Sequence, residues 1–300
     1  MEVMSHKFDL YSLRLFIAAF EEGSLAAAAE REHITASALS KRMSELERML
    51  GTELFIRRAH GVEPTKAAQT LARGARKLLH QANELACELG EFSQGTRGHV
   101  RIAANLSSIT QFLPLELHTF LAKYPEVTID LTEMVSTDVT RAVSENRADI
   151  GIYTQTNEHH ELKTFPYHTD RMVLITPLRH PLAEYESIAF TDTLAYPHVG
   201  MHPGSAANNL LMQKAIAANQ KLKLSFQVTS YDALVSMVNA GLGIGIMPFK
   251  ATRLYACKDI TIVQLRDDWA ARQLKLCVQS TETLSASAHS LLLHLLSFTA

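Results

Sequence analysis

GSLAAAAEREHITASALSKRMSELERMLG (residues 23–51) contains two helices and the turn between them. Gly23 ends a preceding helix, and Ser24 caps the next one, Leu25 to Arg31, whose alanines Ala26 to Ala29 let another helix approach closely. The polar turn EHIT leads to Thr35, which can cap a third helix with the apolar stripe Leu39, Met43, Leu46 and Leu50, closed by Gly51. The polar face of this third helix is unusual. Ser37, Ser40, Lys41 and Arg42 crowd its first turn and a half, where the backbone dipole normally favours acids. Two helices joined this way form a helix-turn-helix shape.

The pattern continues on both sides. Leu10, Leu13, Phe16, Ile17 and Phe20 give an apolar face to a first helix. TELFIRRAHGVEPT (52–65) reads as two short extended segments around Ala59-His60-Gly61, a small β-ribbon or wing. Residues 66–92 form a long helix in which Leu71, Ala75, Leu78, Ala82, Leu85, Leu89 and Phe92 alternate spacings of four and three, a heptad seam. Such a seam packs on a second copy or on its own domain. A dimer through Leu71, Leu78, Leu85, Leu89 and Phe92 is the expectation. SQGTRGH (93–99) is a Gly-rich hinge.

From residue 100 strands and helices alternate. The strands are VRIAA, VTIDLTEM, ADIGIY, RMVLITP, HVGM, LSFQVTS, IGIM, ITIVQL and LKLCVQ. The helices are 106–123, 138–146, about 205–219, 231–240 and 283–298. This predicts parallel sheets covered on both faces, in two similar α/β lobes with a cleft between them. The expected fold is therefore α/β with an all-helical, winged N-terminal domain. Its parts are residues 1–65 (winged helix-turn-helix), 66–92 (linker helix), 93–99 (hinge) and 100–300 (two lobes).

Composition limits the function classes. The 300 residues are 47% hydrophobic and 20% charged, with a net charge of −2. No apolar run is long enough to span a membrane, and MEVMSHKFDLYS lacks the basic and apolar regions of a secretory signal. Three scattered cysteines fit a reducing cytoplasm and argue against disulfides or a CxxC zinc site. Net charge gives no hint of nucleic acid, so any such reading rests on local geometry.

The assembled motifs resemble those of the LysR-type transcriptional regulators over essentially the whole chain. The most specific stretch is 23–58, where the small helix, the turn, the Ser-Lys-Arg helix, Leu-Glu, Leu-Gly and Leu-Phe-x-Arg follow the family order. PTKAA (64–68) resembles the family's step into the linker helix, with Ala68 in place of glycine. FLP (112–114), ADIGI (148–152) and GLGIGIMP (241–248) are weaker landmarks. The resemblance implies a winged helix-turn-helix, a dimerising linker helix, an effector domain like periplasmic binding proteins, and usually a homotetramer. It also implies binding to double-stranded promoter DNA, a response to a small molecule in the cleft, no cofactor and no catalysis.

In a helix-turn-helix the second helix lies in the major groove with its N-terminal residues at the base edges. This accounts for the hydroxyls and cations, and makes Thr35, Ala36, Ser37, Ser40, Lys41 and Arg42 candidate DNA contacts. The family often has glutamine at position 36; alanine there can still touch a thymine methyl. Arg57, Arg58 and His60 lie on the wing, placed for phosphates. Thr65 opens the linker helix, where a hydroxyl and free amides suit a phosphate.

Three helix starts follow strands and carry hydroxyls: Ser107 and Ser108; Ser136 and Thr137; and His202, Gly204 and Ser205. Each hydroxyl can cap its own helix. As a group they suggest a pocket at the strand ends for a small, anionic effector. The resemblance adds the first lobe's loop near Met247. His202 is either a titratable donor for that anion or an ordinary surface histidine. GLGIGIMP is not a dinucleotide fingerprint, because no helix starts there and the spacing is GxGxG. His159-His160 and the His198/His202 pair lack a matching ligand set for a metal. Ser107 has no identifiable base, so hydrolase chemistry has no support.

Overall fold

The computed structural model describes residues 9–58, 61–94, 98–154, 162–255 and 259–299. Side chains of the linker helix are described through Leu79, and beyond it for Gln81, Ala82 and Leu85. The chain divides into two compact units: residues 1–95 with 145–147, and residues 96–144 with 148–300.

The first unit contains α1 (Leu10–Glu22), α2 (Leu25–Arg31), α3 (Ala36–Leu50), β1 (Phe55–Arg58), β2 (Gly61–Pro64) and α4 (Lys66–Gln94). Each of the first three helices starts on a capping side chain. Asp9 accepts from Ser12 N at 2.7 Å, Ser24 from Ala27 N at 3.4 Å, and Thr35 from Ala38 N at 3.2 Å. Gly51 ends α3 at φ +67°, a conformation that costs other L-residues strain. The core joins Leu13 and Phe16 of α1, Ala28 and Ala29 of α2, and Leu39, Met43 and Leu46 of α3. Full burial of each large side chain contributes about 1.5–3 kcal/mol. Two short strands pair antiparallel, Phe55↔Pro64 to Arg58↔Gly61, as the wing. The wing tip, Ala59 and His60, lies outside the described residues.

The linker-helix seam divides. Ala68, Ala72 and Ala75 are buried in the N-terminal core, with Leu71 and Leu79 packed partly against it. Leu78 and Leu85 are 43% and 57% exposed. Thus Leu71 is drawn into its own unit, while Leu78 and Leu85 stay about half exposed among the described residues. The side chains of Leu89 and Phe92, and residues 95–97 of the hinge, lie outside the described residues.

The second unit contains β3 (Gly98–Ala104), α5 (Leu106–Gln111), α6 (Leu113–Lys123), β4 (Val127–Glu133), α7 (Ser136–Ser144), β5 (Ile150–Thr154), β6 (Lys163–Pro177), β7 (Ser187–Ile188), α8 (Phe190–Thr193), β8 (His198–Met201), α9 (Ala206–Ala217), β9 (Leu224–Val228), α10 (Tyr231–Asn239), β10 (Ile244–Pro248), α11 (Phe249–Thr252), β11 (Ile260–Leu265), β12 (Ala271–Val278) and α12 (Ala286–Leu296). The strand order is β4-β3-β5-β12-β6-β10-β8-β9, with β11 on β6 and β7 on β11.

The sheet is mixed rather than parallel as expected. β3 pairs parallel with β4 and β5, and β8 with β9 and β10. β12 pairs antiparallel with β5 and β6, and β6 antiparallel with β10 and β11. The cause is β6, fifteen residues long, which serves both lobes. Its first half, KTFPYHTD, lacks a continuous apolar run and so did not read as strand. Pro166 is tolerated there because it lies beside a register shift in β12 between Gln273 and Lys275. The expected single helix 106–123 is two helices broken at Phe112, since Pro114 cannot continue the backbone ladder of α5.

Each lobe is covered on both faces. In the first, Ile102, Ile150 and Ile152 pack under Phe120 and Leu291 on one side, and Ala103 under Val139 and Val143 on the other. In the second, Leu174 and Ile246 meet Leu211, while Ile175 and Val199 meet Leu234. Gly243 of the GxGxG stretch lets backbones approach: a Cβ there would lie 2.7 Å from the Pro197 carbonyl oxygen.

His198, 1% exposed at the start of β8, gives this unit a pH limit. Burial pushes its pKa from 6.5 down to about 4, against a smaller opposing effect of the Tyr196 carbonyl. The unfolded chain therefore binds the proton first, and stability falls as pH drops from 6.5 towards 4, by up to about 3 kcal/mol. Urea unfolding at pH 7 and pH 4.5 is expected to show this loss, and His198→Asn should reduce it.

Candidate functional site

Two sites emerge, one in each unit. On the first, α3 presents Thr35, Ala36, Ser37 and Lys41 at exposed positions, with Ser40 partly covered. The Thr35 and Ser37 hydroxyls lie 3.2 Å apart. Arg57 of the wing reaches back to donate to Ser40 Oγ at 3.1 Å, so helix and wing present their cations together. Arg58 pairs with Glu63 at 3.0 Å, both well exposed, an interaction worth little for stability.

Two candidate contacts are tied to the protein. Arg42 donates to Ser12 Oγ at 2.9 Å, lies 3.4 Å from Asp9 Oδ2, and sits over the Tyr11 ring with 4.8 Å to its centroid. Burial pushes the Asp9 carboxyl up, but the Ser12 amide and hydroxyl and the Arg42 charge outweigh it, and its pKa is lowered. Arg42 is thus fixed to the start of α1 rather than freely presented. Thr65 likewise donates to the Glu53 carbonyl at 2.9 Å and caps α4 through Ala68 N at 3.2 Å, so its hydroxyl is already used.

Sequence reasoning missed Glu47, whose Oε1 accepts from Leu54 N at 2.8 Å and Phe55 N at 3.1 Å and so anchors the wing on α3. Its partners lie seven and eight residues on, past the end of α3, and only its place in the Leu-Glu motif hinted at a role. Glu47→Leu is expected to leave two amides unpaired and to cost about 2 kcal/mol in chemical unfolding.

The second site is a cavity of about 260 Å³ between the lobes, at the strand ends. It brings together Ser107, Ser136, His202 and Ser205 of the candidates, together with Tyr231 and Arg272. Ser136 Oγ accepts from Asn105 Nδ2 and Thr154 N, both at 3.2 Å. Its lone pairs are used, which leaves the hydroxyl proton to donate. Ser107 Oγ accepts from Arg272 Nη2 at 3.2 Å and lies 2.9 Å from the Tyr231 hydroxyl, whose pKa burial raises.

Arg272 is 4% exposed and bidentate on Asp170, with Nε to Oδ1 at 2.8 Å and Nη2 on Oδ2. Gln111 Nε2 also donates to Asp170, at 3.2 Å. The pair joins β6 to β12 across the sheet. Its two charges compensate, so the cavity floor carries a neutral pair with guanidinium donors. Glu133, exposed at the rim, is an acid on this lining.

The remaining candidates lie elsewhere. Ser108 is fully buried and donates to Asn105 Oδ1 at 2.7 Å, serving the cap of α5. Thr137 and Gly204 line a neighbouring, larger cavity. Met247 is fully buried in the second lobe's core, opposite Val173 of β6, and lines neither cavity. His202, partly exposed, lies 3.0 Å from the Pro203 carbonyl, and Ser205 caps α9 through Asn208 N at 3.2 Å. Sequence reasoning missed Asn105, whose cap of α5 is local, as well as Asp170 and Arg272, which lie 102 residues apart. His159 and His160 lie outside the described residues, and among the described residues no cluster of three or more metal-ligating side chains occurs. No helix among them is long and apolar enough to cross a membrane.

A helix-turn-helix with a wing, followed by a two-lobed α/β unit with a cleft, is the architecture of a DNA-binding regulator that carries a substrate-binding domain. The family comparisons agree: residues 10–69 match the bacterial regulatory helix-turn-helix protein model of the lysR family, and residues 93–300 the LysR substrate binding domain. The chain belongs to the LysR family of transcriptional regulators. It is similar to the uncharacterized HTH-type transcriptional regulator YbhD of Escherichia coli strain K12, 28% identical over 81% of this chain and 76% of that protein. Its fold matches full-length CbnR complexed with its target DNA (TM-score 0.69, 20% identity, covering 97% of this chain and 100% of that one). It also matches the BenM effector binding domain with its effector benzoate (TM-score 0.57, 19% identity, 68% of this chain and 95% of that one).

Proposed function

We propose that this regulator reads promoter DNA through the start of α3 and the wing, as a dimer joined through α4 and assembled as a tetramer, and that a small anionic effector in the 260 Å³ cavity controls it. Exposed Lys41, with Arg57 docked on Ser40, supports the DNA reading. The exposed Leu78 and Leu85 support pairing of α4. The observation that carries the effector reading is Ser136. Both of its acceptor sites are filled from within the protein, so it offers the cavity a proton, which an anionic or carbonyl oxygen accepts. CbnR bound to target DNA and BenM bound to benzoate make the two activities reasonable on this fold. Effector binding would favour a closed arrangement of the lobes and shift the population of DNA-bound assemblies.

The test is a thermal-shift screen of the full chain with monocarboxylates, dicarboxylates, sulfate and phosphate. A binding anion is expected to raise the melting temperature with concentration. Ser136→Ala should weaken that response about tenfold or more. An unchanged response in the variant would remove the anion from this cavity.

A further inference from the structure

We infer that Asp9 and Tyr11 are positioning residues of the DNA-reading surface: they mount Arg42 on α1 so that the open edge of its guanidinium clamps one DNA phosphate in a single register. This rests on the reading of the start of α3 as the surface that meets DNA, and it adds residues of α1 to that surface. Arg42 stands in the second turn of α3, next to the exposed Lys41, and its own side chain is 42% exposed. Its place is set from three sides. Nη1 donates to Ser12 Oγ at 2.9 Å and to Asp9 Oδ2 at 3.4 Å, and the guanidinium sits over the Tyr11 ring, 4.8 Å from its centroid. Ser12 Oγ donates in turn to Asp9 Oδ2 at 2.9 Å, so its acceptor side is left for Arg42. Asp9 Oδ1 takes the Ser12 amide at 2.7 Å, which ties the carboxylate to the backbone of α1.

Both of these bonds use Nη1. Among the described residues, Nη2 and Nε donate to no protein atom, and Arg42 lines a cavity together with Lys41 and Arg48 of the same helix. A guanidinium carries its donors in a rigid fork that matches phosphate bidentately. One nitrogen is therefore held while the others remain for a phosphate. The Tyr11 ring also carries Arg14, 5.3 Å from its centroid, and Arg14 pairs with Glu32 at 2.8 Å. Each of the two cations on the ring thus has its own acid, which offsets their repulsion. A half-exposed ion pair contributes only modestly to stability, so the main effect of Asp9 is on where the Arg42 charge stands. A loose cation meets a phosphate in any register of the duplex. A mounted one meets it in one register, and loses less side-chain freedom in doing so. Phosphate contacts set register and base contacts carry sequence. The mount therefore links the two, because the Arg42 clamp closes where its neighbour Lys41 reaches the base edge.

Anisotropy titrations of the full chain test this, against a duplex selected from a randomised library and a scrambled duplex of equal length. Asp9→Asn keeps the Oδ1 cap and puts an amide donor where Oδ2 accepted, so it releases Arg42 without unseating α1. Affinity for the selected duplex is expected to fall about two- to tenfold, the fold-change that corresponds to ordering one long side chain. Affinity for the scrambled duplex should not fall, since an acid has left the surface. Tyr11→Leu should repeat the loss, and Tyr11→Phe, which keeps the ring, should not. Arg42→Lys keeps the charge without the fork and should lose selective binding while retaining non-specific binding. Single methylphosphonate replacements locate the clamp: neutralising one phosphate in each half-site should weaken the parent sharply and Asp9→Asn little. Tighter binding of Asp9→Asn to both duplexes alike would make Asp9 a competitor for Arg42 and overturn the inference. Equal losses on both duplexes with a lowered melting temperature would make the contact a structural one, with the same consequence. If the parent chain bound both duplexes alike, the DNA reading itself would fall.

Discussion

Arg272→Met is expected to lower the melting temperature of the effector unit by about 10 °C. The substitution removes one partner of a buried ion pair and leaves the Asp170 carboxylate without its compensating charge, a change that costs about 3–5 kcal/mol. For a unit of this size each kcal/mol corresponds to roughly 2–4 °C. Burial opposes the Arg272 charge, but Asp170 outweighs that, so the guanidinium's pKa is raised and the pair is held ionised. The double variant Asp170→Asn with Arg272→Met removes both charges and should recover most of the loss, because the uncompensated charge, not the missing contact, carries the cost. Calorimetry of the four proteins in the cycle gives the coupling directly. Because Arg272 also donates to Ser107 Oγ, both variants should weaken effector binding even where stability is restored.

Lys41→Ala is expected to lower affinity for the specific DNA site by about ten- to a hundredfold while leaving the melting temperature within about 1 °C of the parent. The side chain is exposed at the start of α3, where a base-edge donor contributes about 1–3 kcal/mol of discrimination. Arg42→Ala should behave differently. Its guanidinium is bonded to Ser12 and Asp9, so its loss should reduce stability as well as binding. Arg57→Ala and Arg58→Ala should weaken specific and non-specific duplexes alike and lower the salt slope by about 0.9 for each phosphate contact removed. Equal loss on both duplexes for Lys41→Ala would reassign that lysine from bases to phosphates.

The N-terminal unit was largely legible because its determinants are local. The Ser24 and Thr35 caps, the Gly51 stop and the 3.6-residue stripes each act within a turn or two of helix, and each is found where the periodicity put it. The strands of the second unit were legible as apolar runs, but their directions were not. β6 joins both lobes through a polar first half, and nothing local distinguishes such a crossover strand from a loop. The cavity was half legible. Ser107, Ser136, His202 and Ser205 are helix-start residues that a strand-helix pattern predicts. The groups that set its charge, Asp170 and Arg272, meet only through sheet register, and Tyr231 arrives from the second lobe. Met247 shows the opposite limit: a position suggested by resemblance is occupied by a core side chain. Arg42 is similar, since a cation at the right place on a helix is held by an acid thirty-three residues earlier.

The most direct test of the central claim is a fluorescence-anisotropy titration of the full chain. One duplex is enriched by selection from a randomised library, and a scrambled duplex of equal length is measured at the same salt. We expect binding to the enriched duplex at least about a thousandfold tighter, a two-fold symmetric site, and a marked loss of that preference in Lys41→Ala. Equal affinity for both duplexes, unchanged in Lys41→Ala, would contradict the assignment of the start of α3 as the surface that reads DNA.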